Sequence, residues 1–228
     1  VIYPPPAWPT PTQPPVAGNA FRLSSGELEL AHNPDAFGAF QVRFAGQPIA
    51  TGNPQALIGY AFGDQARWMA FGNWPAQPVT SQTLGNGFML RNESTDSDGA
   101  RWLIEQRFTS NSLNAIAVET RVTADRDRQL LYLPVFTLLA GVGTHGANKS
   151  QGLLPGLEYL ENEPSSSELD VIGDAARRLV PDRKKITLPL MALAAGNHCL
   201  GLIWEPQADL SPVFDSPDRQ FHSGGHLL

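Results

Sequence analysis

Between Phe88 and Thr123 the chain repeats one short rhythm. FMLRN, RWLIEQRFT and AIAVETRVT each alternate apolar with polar residues, and ESTDSDGA and SNSLN separate them. A period of two sends successive side chains to opposite faces of a strand, so these blocks predict strands with one wet face. Turn chemistry at Asp98-Gly99 and from Asn111 to Asn114 joins them into an antiparallel meander. FRLSSGELELAH shows the same alternation, with Leu28 and Leu30 set against Glu27 and Glu29. FGAFQVRFAGQPIATG repeats it in Phe40, Val42 and Phe44 before a turn at Gly46.

Farther on, LLYLPVFTLLAG is almost continuously apolar and predicts one strand buried on both faces. KITLPLMALAAGNHCLGLIWEP predicts two more strands around Gly196-Asn197. Helix signals are confined to a turn or two near Asp174 to Leu179, ended by Pro181. These patterns predict an all-β protein, a large antiparallel β-sandwich of the supersandwich kind with few or no helices, forming a single domain over residues 18–228. Residues 1–17 stand apart: seven prolines from Pro4 to Pro15 hold the backbone extended and cannot donate to a sheet ladder. They read either as a stiff linker or as a tail lying on its own domain with Trp8 as a plug. At the other end, FHSGGHLL places an apolar pair after a Gly-Gly kink, where a further strand would begin. A chain truncated within a longer polypeptide and an ordered C-terminal edge strand both fit.

Composition narrows the function classes. Of 228 residues 21 are glycine and 20 proline, which suits many short elements joined by turns. The net charge is −6, and Lys149, Lys184 and Lys185 are the only lysines, so no basic stripe is available for a phosphate backbone and nucleic acid is not expected as a partner. The longest apolar run, from Leu130 to Val142, is interrupted by Pro134 and Thr137 and is too short to span a bilayer. Cys199 is alone, which rules out a disulfide within the chain.

Several motifs fail on context. GVGTHG (Gly141, Gly143, Gly146) matches a dinucleotide fingerprint, but the ANKSQGLLPG that follows offers no helix to meet a pyrophosphate. STDSDGA begins like a calcium loop, lacks the distal acid and reads as a hairpin turn. His222 and His226 are four apart, but Ser223, Gly224 and Gly225 between them will not hold a helix, so zinc is disfavoured against surface or substrate-facing histidines. No G-x-S-x-G elbow exists.

The remaining concentration of chemistry is GLLPGLEYLENEPSSSELD, where Glu158, Glu161, Glu163, Glu168 and Asp170 sit among Leu153, Leu154, Leu157, Tyr159 and Leu160. Ionised carboxylates beside so much apolar surface need water, a counter-ion or a ligand. Three readings stay open: a solvated loop, a sugar-facing surface, or a calcium site at Glu158, Glu161, Glu163 and Asp170. Sugars are bound by aromatic faces that stack on the pyranose ring and by charged groups that take its hydroxyls. Trp204, Tyr159 and Trp74, with Glu158, Glu161, Arg219, His222 and His226, are the candidates. Trp68, Trp102 and Tyr60 are further aromatic candidates, and at least half of the six tryptophans and tyrosines so named are expected in the core. For glycoside hydrolysis the candidate acids are Glu158, Glu205 and Asp215, which would have to lie about 5 to 10 Å apart in pairs.

The run GARWLIEQRFTSNSLNAIAVETRVTADRDRQLLYLPVFTLLAG, followed by LLPGLEYLENEPSSSELD and LPLMALAAGNHCLGLIWEP, resembles the antiparallel β-sandwich domains of the galactose mutarotase-like group in its strand cadence. Such domains also precede helical-barrel catalytic domains in bacterial glycan-active enzymes. The resemblance implies a carbohydrate-related, extracellular or periplasmic domain that binds a polysaccharide or oligosaccharide, or that docks a downstream catalytic domain. The mutarotases pair a catalytic histidine with a glutamate, and no histidine of this shorter chain matches that role. The resemblance therefore implies a non-catalytic domain before it implies an epimerase.

Overall fold

Alternation becomes register in the middle of the chain. Strands β8 (Gly87–Thr95), β9 (Arg101–Ser112) and β10 (Ala115–Ala124) pair antiparallel in sequence order, with β7 (Val79–Leu84) on the far side of β8. One face carries Phe88, Leu90, Asn92 and Ser94 beside Trp102, Ile104, Gln106 and Phe108, all buried. The other face is charged: Arg91 lies opposite Glu105, Glu105 opposite Arg121, and Arg107 opposite Glu119. Opposite charges facing each other across a ladder suit a solvated surface. The turn at Asp98-Gly99 closes this meander as the sequence predicts, and Asn114, at φ 55°, closes the next.

The computed structural model describes residues 16–52, 57–70, 79–140, 151–161, 171–172, 177–178, 183–195, 197–206, 210, 212 and 226–227. The architecture is nearly all β, with several antiparallel sheets. Backbone contacts divide the chain into two compact units.

The first unit holds residues 13–47 and 51–137. Here β1 (Phe21–Ser25), β2 (Leu28–His32) and β3 (Phe40–Phe44) form a meander. Its inner face packs on β8 and β9 through rings: Phe21 stacks on Phe88 at 5.0 Å, Phe88 on Phe108 at 4.9 Å, and Phe40 on Phe136 at 5.6 Å. Two sheets meeting through interleaved aromatics make this unit a β-sandwich. His32 is fully buried in the same cluster, 5.4 Å from the Phe108 ring. A third sheet, in the order β11 (Gln129–Tyr132), β5 (Leu57–Phe62), β6 (Gln65–Ala70), brings Tyr60 to 6.2 Å from Trp102.

LLYLPVFTLLAG departs from expectation, because it forms two short strands rather than one. Strand β11 is half-exposed, with Leu130 46% accessible, and β12 (Leu138–Ala140) is fully buried. Pro134 has no N–H for a ladder. The carbonyl of neighbouring Val135 accepts instead from Gln106 Nε2 at 3.2 Å and Thr120 Oγ1 at 2.7 Å, so the break is held by side chains of β9 and β10.

The second unit takes residues 48–50, part of β4 (Gln47–Gly52), together with the chain from 138 onward. Its main sheet runs in the order β14 (Glu158–Glu161), β13 (Gln151–Leu154), β17 (Leu190–Ala195), β18 (His198–Ile203). The predicted pair around Gly196-Asn197 is the β17–β18 hairpin. Strands β15 (Val171–Ile172) and β16 (Arg177–Arg178) pair with each other, and β19 (His226–Leu227) pairs with β12. The helical turn expected near Asp174 to Leu179 is corrected by β16, since Arg177 and Arg178 are in a strand opposite Ile172 and Val171. Two residues of ladder outweigh the helix preference of two arginines, which is worth only tenths of a kcal/mol.

Candidate functional site

The carboxylate segment begins as the second strand of a hairpin. Leu154 leads into a tight turn in which Leu157 N donates to the Leu154 carbonyl at 3.0 Å and Gly156 takes φ 85°. Only glycine adopts that φ without strain, and a Cβ there would collide with the Lys185 carbonyl oxygen. The turn fixes the register of β14 on β13: Glu158 opposite Leu154, Tyr159 opposite Leu153, Glu161 opposite Gln151.

That register separates residues that the sequence lists side by side. Glu158 shares a face with Leu154, Met191 and Leu193, the buried side of the sheet, and is itself half-buried. Tyr159 and Glu161 point the other way, onto a face shared with Leu153, Ala192 and Gly201. The Tyr159 ring is 59% exposed, and its hydroxyl is held by Gln151 Nε2 at 2.7 Å. An exposed aromatic fixed by its polar end has already surrendered part of the rotamer freedom that binding would otherwise cost.

The other expected site residues fall in three groups. Trp204 is half-buried just past β18, its N–H bonded to the Pro189 carbonyl at 3.0 Å, and Glu205 beside it is exposed. Both lie at the opposite edge of the sheet from β14. Three inter-strand spacings, about 14 Å, separate those edges, so Glu158 and Glu205 are not set as a hydrolase pair of about 5 to 10 Å. Trp74, Glu163, Glu168, Asp170, Asp215, Arg219 and His222 lie outside the described residues, and His226 is described only as part of β19. Of the remaining aromatics, Tyr60 and Trp102 are core, and Trp68 is half-buried, 6.0 Å from Tyr132.

For calcium, Glu158 and Glu161 lie on opposite faces of one strand and cannot reach one ion together from these positions. No three His, Cys, Asp or Glu among the described residues are grouped to hold a metal.

No family model, no curated protein and no solved structure matches this chain. Function therefore has to be argued from the chain's own chemistry.

The most elaborate polar cluster lies in the first unit, in the turn that the sequence marks only as a hairpin. Asp96 is buried and accepts from Arg128 Nε at 2.7 Å and Nη2 at 3.1 Å, from Trp102 Nε1 at 3.0 Å, and from the backbone N–H of Asp98 and Ala100, each at 2.9 Å. Burial alone would raise the carboxyl's pKa. The bonds from Arg128, Trp102, Ala100 and Asp98 outweigh it and hold Asp96 well below the usual carboxylate range. Tyr60 donates to Asp98 at 2.7 Å, and burial, assisted by the neighbouring carboxylates, pushes its phenol upward. With two guanidinium bonds, an indole and two amides, Asp96 has no lone pair to spare for a substrate, which makes the cluster a structural lock. Its signal in the sequence was an Asp two residues before an Asp-Gly turn with a Trp shortly after, a pattern that exposed hairpins also show.

Proposed function

We propose that this chain is a carbohydrate-binding or accessory β-domain of a bacterial extracellular or periplasmic glycan-active protein, with the open face of the β14-β13-β17-β18 sheet as its binding surface. The observation that carries the reading is Tyr159, an exposed ring on a sheet face, fixed through its hydroxyl by Gln151, with the Glu161 carboxylate on the same face. A sugar ring stacked on Tyr159 would present its hydroxyls to Gln151 and Glu161. The small side chains of Ala192 and Gly201 in the same row leave room for a chain of sugars to lie flat. Binding on so open a surface is expected to be weak per module, because little of the ligand is enclosed. The strand cadence shared with galactose mutarotase-like domains points the same way.

The test is affinity electrophoresis of the whole chain through gels containing soluble polysaccharides. Retention in at least one gel that Tyr159→Ala abolishes would support the reading, and unretarded migration in all of them would end it.

A second reading rests on Leu157, Leu188 and Ile203, which are 37%, 57% and 80% exposed around the same sheet. Large apolar side chains gathered on one surface are usual where another domain docks, so a structural domain seating a downstream catalytic domain is the alternative. Retention without any loss on Tyr159→Ala would favour neither.

A further inference from the structure

The two edges of the second unit's main sheet are built differently. Strand β14 carries Glu158 and Glu161, and charges on an edge strand discourage other chains from adding to it. Strand β18, His198–Ile203, carries no Asp, Glu, Lys, Arg or Pro, and among the described residues only β17 pairs with it. Its last residue, Ile203, is 80% exposed.

Gly201, in the middle of that edge, is not explained by its own unit. Its φ is outside the left-handed region, and an added Cβ would find only ordinary contacts, 3.5 Å from Leu190 Cδ1 and 3.5 Å from the Met191 carbonyl oxygen. A larger residue would fit there and favour the strand. Glycine within a strand often marks the close approach of another backbone.

We infer that β18 is a homotypic docking edge, on which a second copy of this chain adds its own β18 antiparallel, with Gly201 on the two-fold axis. The register follows from the faces. Residues directly opposite in an antiparallel ladder share a face, and the two sheets keep their buried sides together only if even-numbered positions meet even and odd meet odd. An axis through Gly201 satisfies this, pairing Cys199 with the partner copy's Ile203 position and Leu200 with its Leu202 position. It covers the exposed isoleucine, and the residue that must meet itself is the one without a side chain. An overlap of five residues makes a small interface, so the dimer is weak and dissociates on dilution.

Sedimentation velocity of the full chain over a wide concentration range tests this. The expected result is a reversible monomer–dimer equilibrium that Gly201→Lys shifts to monomer, by placing two like charges on the axis, while the melting midpoint of the monomer stays where it was. A second measurement guards against a variant that folds poorly: Ile203→Cys, oxidised at high concentration, is expected to form a covalent dimer through Cys199, and adding Cys199→Ser should prevent it. A monomer at every concentration, a dimer indifferent to Gly201→Lys, or a cross-link that survives Cys199→Ser would each overturn the inference.

Discussion

Arg128 and Asp96 meet through two parallel hydrogen bonds, Nε to Oδ2 at 2.7 Å and Nη2 to Oδ1 at 3.1 Å, with the carboxylate side chain wholly buried and the arginine 6% exposed. The pair ties the β8–β9 turn to the residue preceding β11, across 32 positions of sequence. The guanidinium also lies over the rings of Tyr60 and Phe62, at 5.6 and 5.4 Å. A planar, delocalised cation suits both contacts, which a lysine would not reproduce.

Removing one partner should therefore be costly. Arg128→Ala leaves a buried carboxylate without its cation and should destabilise the first unit by about 3 to 5 kcal/mol, read from urea unfolding. A cost below about 1 kcal/mol would be that of a surface pair and would contradict the burial described.

Acid should weaken the same unit in two stages. His32 is buried against Phe40, Phe88 and Phe108, and its Nδ1 donates to the Asn33 carbonyl. Burial lowers its pKa from 6.5 to about 4 against a smaller opposing effect of that bond. The unfolded chain therefore takes up a proton more readily, and the stability His32 contributes is present above pH 6.5 and is lost as pH falls toward 4. The loss amounts to about 3 kcal/mol. Asp96, depressed further, adds a second loss that begins below its ordinary value of 3.8. Urea midpoints measured across this range should slope downward, and His32→Phe should flatten the limb between pH 6.5 and 4. An unchanged slope in that variant would show that His32 is not the group responsible.

Gly156→Ala should loosen the candidate site without touching it. The side chain has to accept φ 85° and displace the Lys185 carbonyl, so a loss of about 1 to 3 kcal/mol is expected. Amide exchange of Tyr159 and Glu161 should accelerate together, because the turn sets their register. Faster exchange confined to residues 155–157 would mean that β14 holds its place without the turn.

The two glutamates of β14 should behave differently toward a glycan. Glu161→Gln removes a charge from the face that bears Tyr159 and should reduce retention severalfold, whereas Glu158→Gln changes the opposite face and should leave it unaltered. Equal losses would mean that the faces are not the functional distinction drawn here. A melting scan with calcium and then a chelator separates the metal reading, since an ion held only by the folded chain raises the midpoint. Glu158 and Glu161, facing apart, should contribute nothing to such a rise.

How much was legible in the sequence follows from what alternation encodes. FMLRN and RWLIEQRFT display their inner and outer faces residue by residue, so the strands and the turn at Asp98-Gly99 were readable. The carboxylate segment was read by composition, as five acids among leucines, although period two had already sent Glu158 and Glu161 to opposite sides. LLYLPVFTLLAG was readable as apolar but not as broken, because what stabilises the break is the distant pair Gln106 and Thr120. The Asp96 lock was illegible for the same reason: its cation lies 32 residues away, and nothing local distinguishes Arg128 from the other arginines of ADRDRQ.

The most direct measurement for the central claim is the mobility shift of the intact chain and of Tyr159→Ala in gels cast with a panel of acidic and neutral polysaccharides. The account predicts retardation of the parent chain in at least one gel, with free mobility restored by the substitution while the unfolding midpoint is unchanged. Equal retardation of parent and variant, or none for either across the panel, would contradict it.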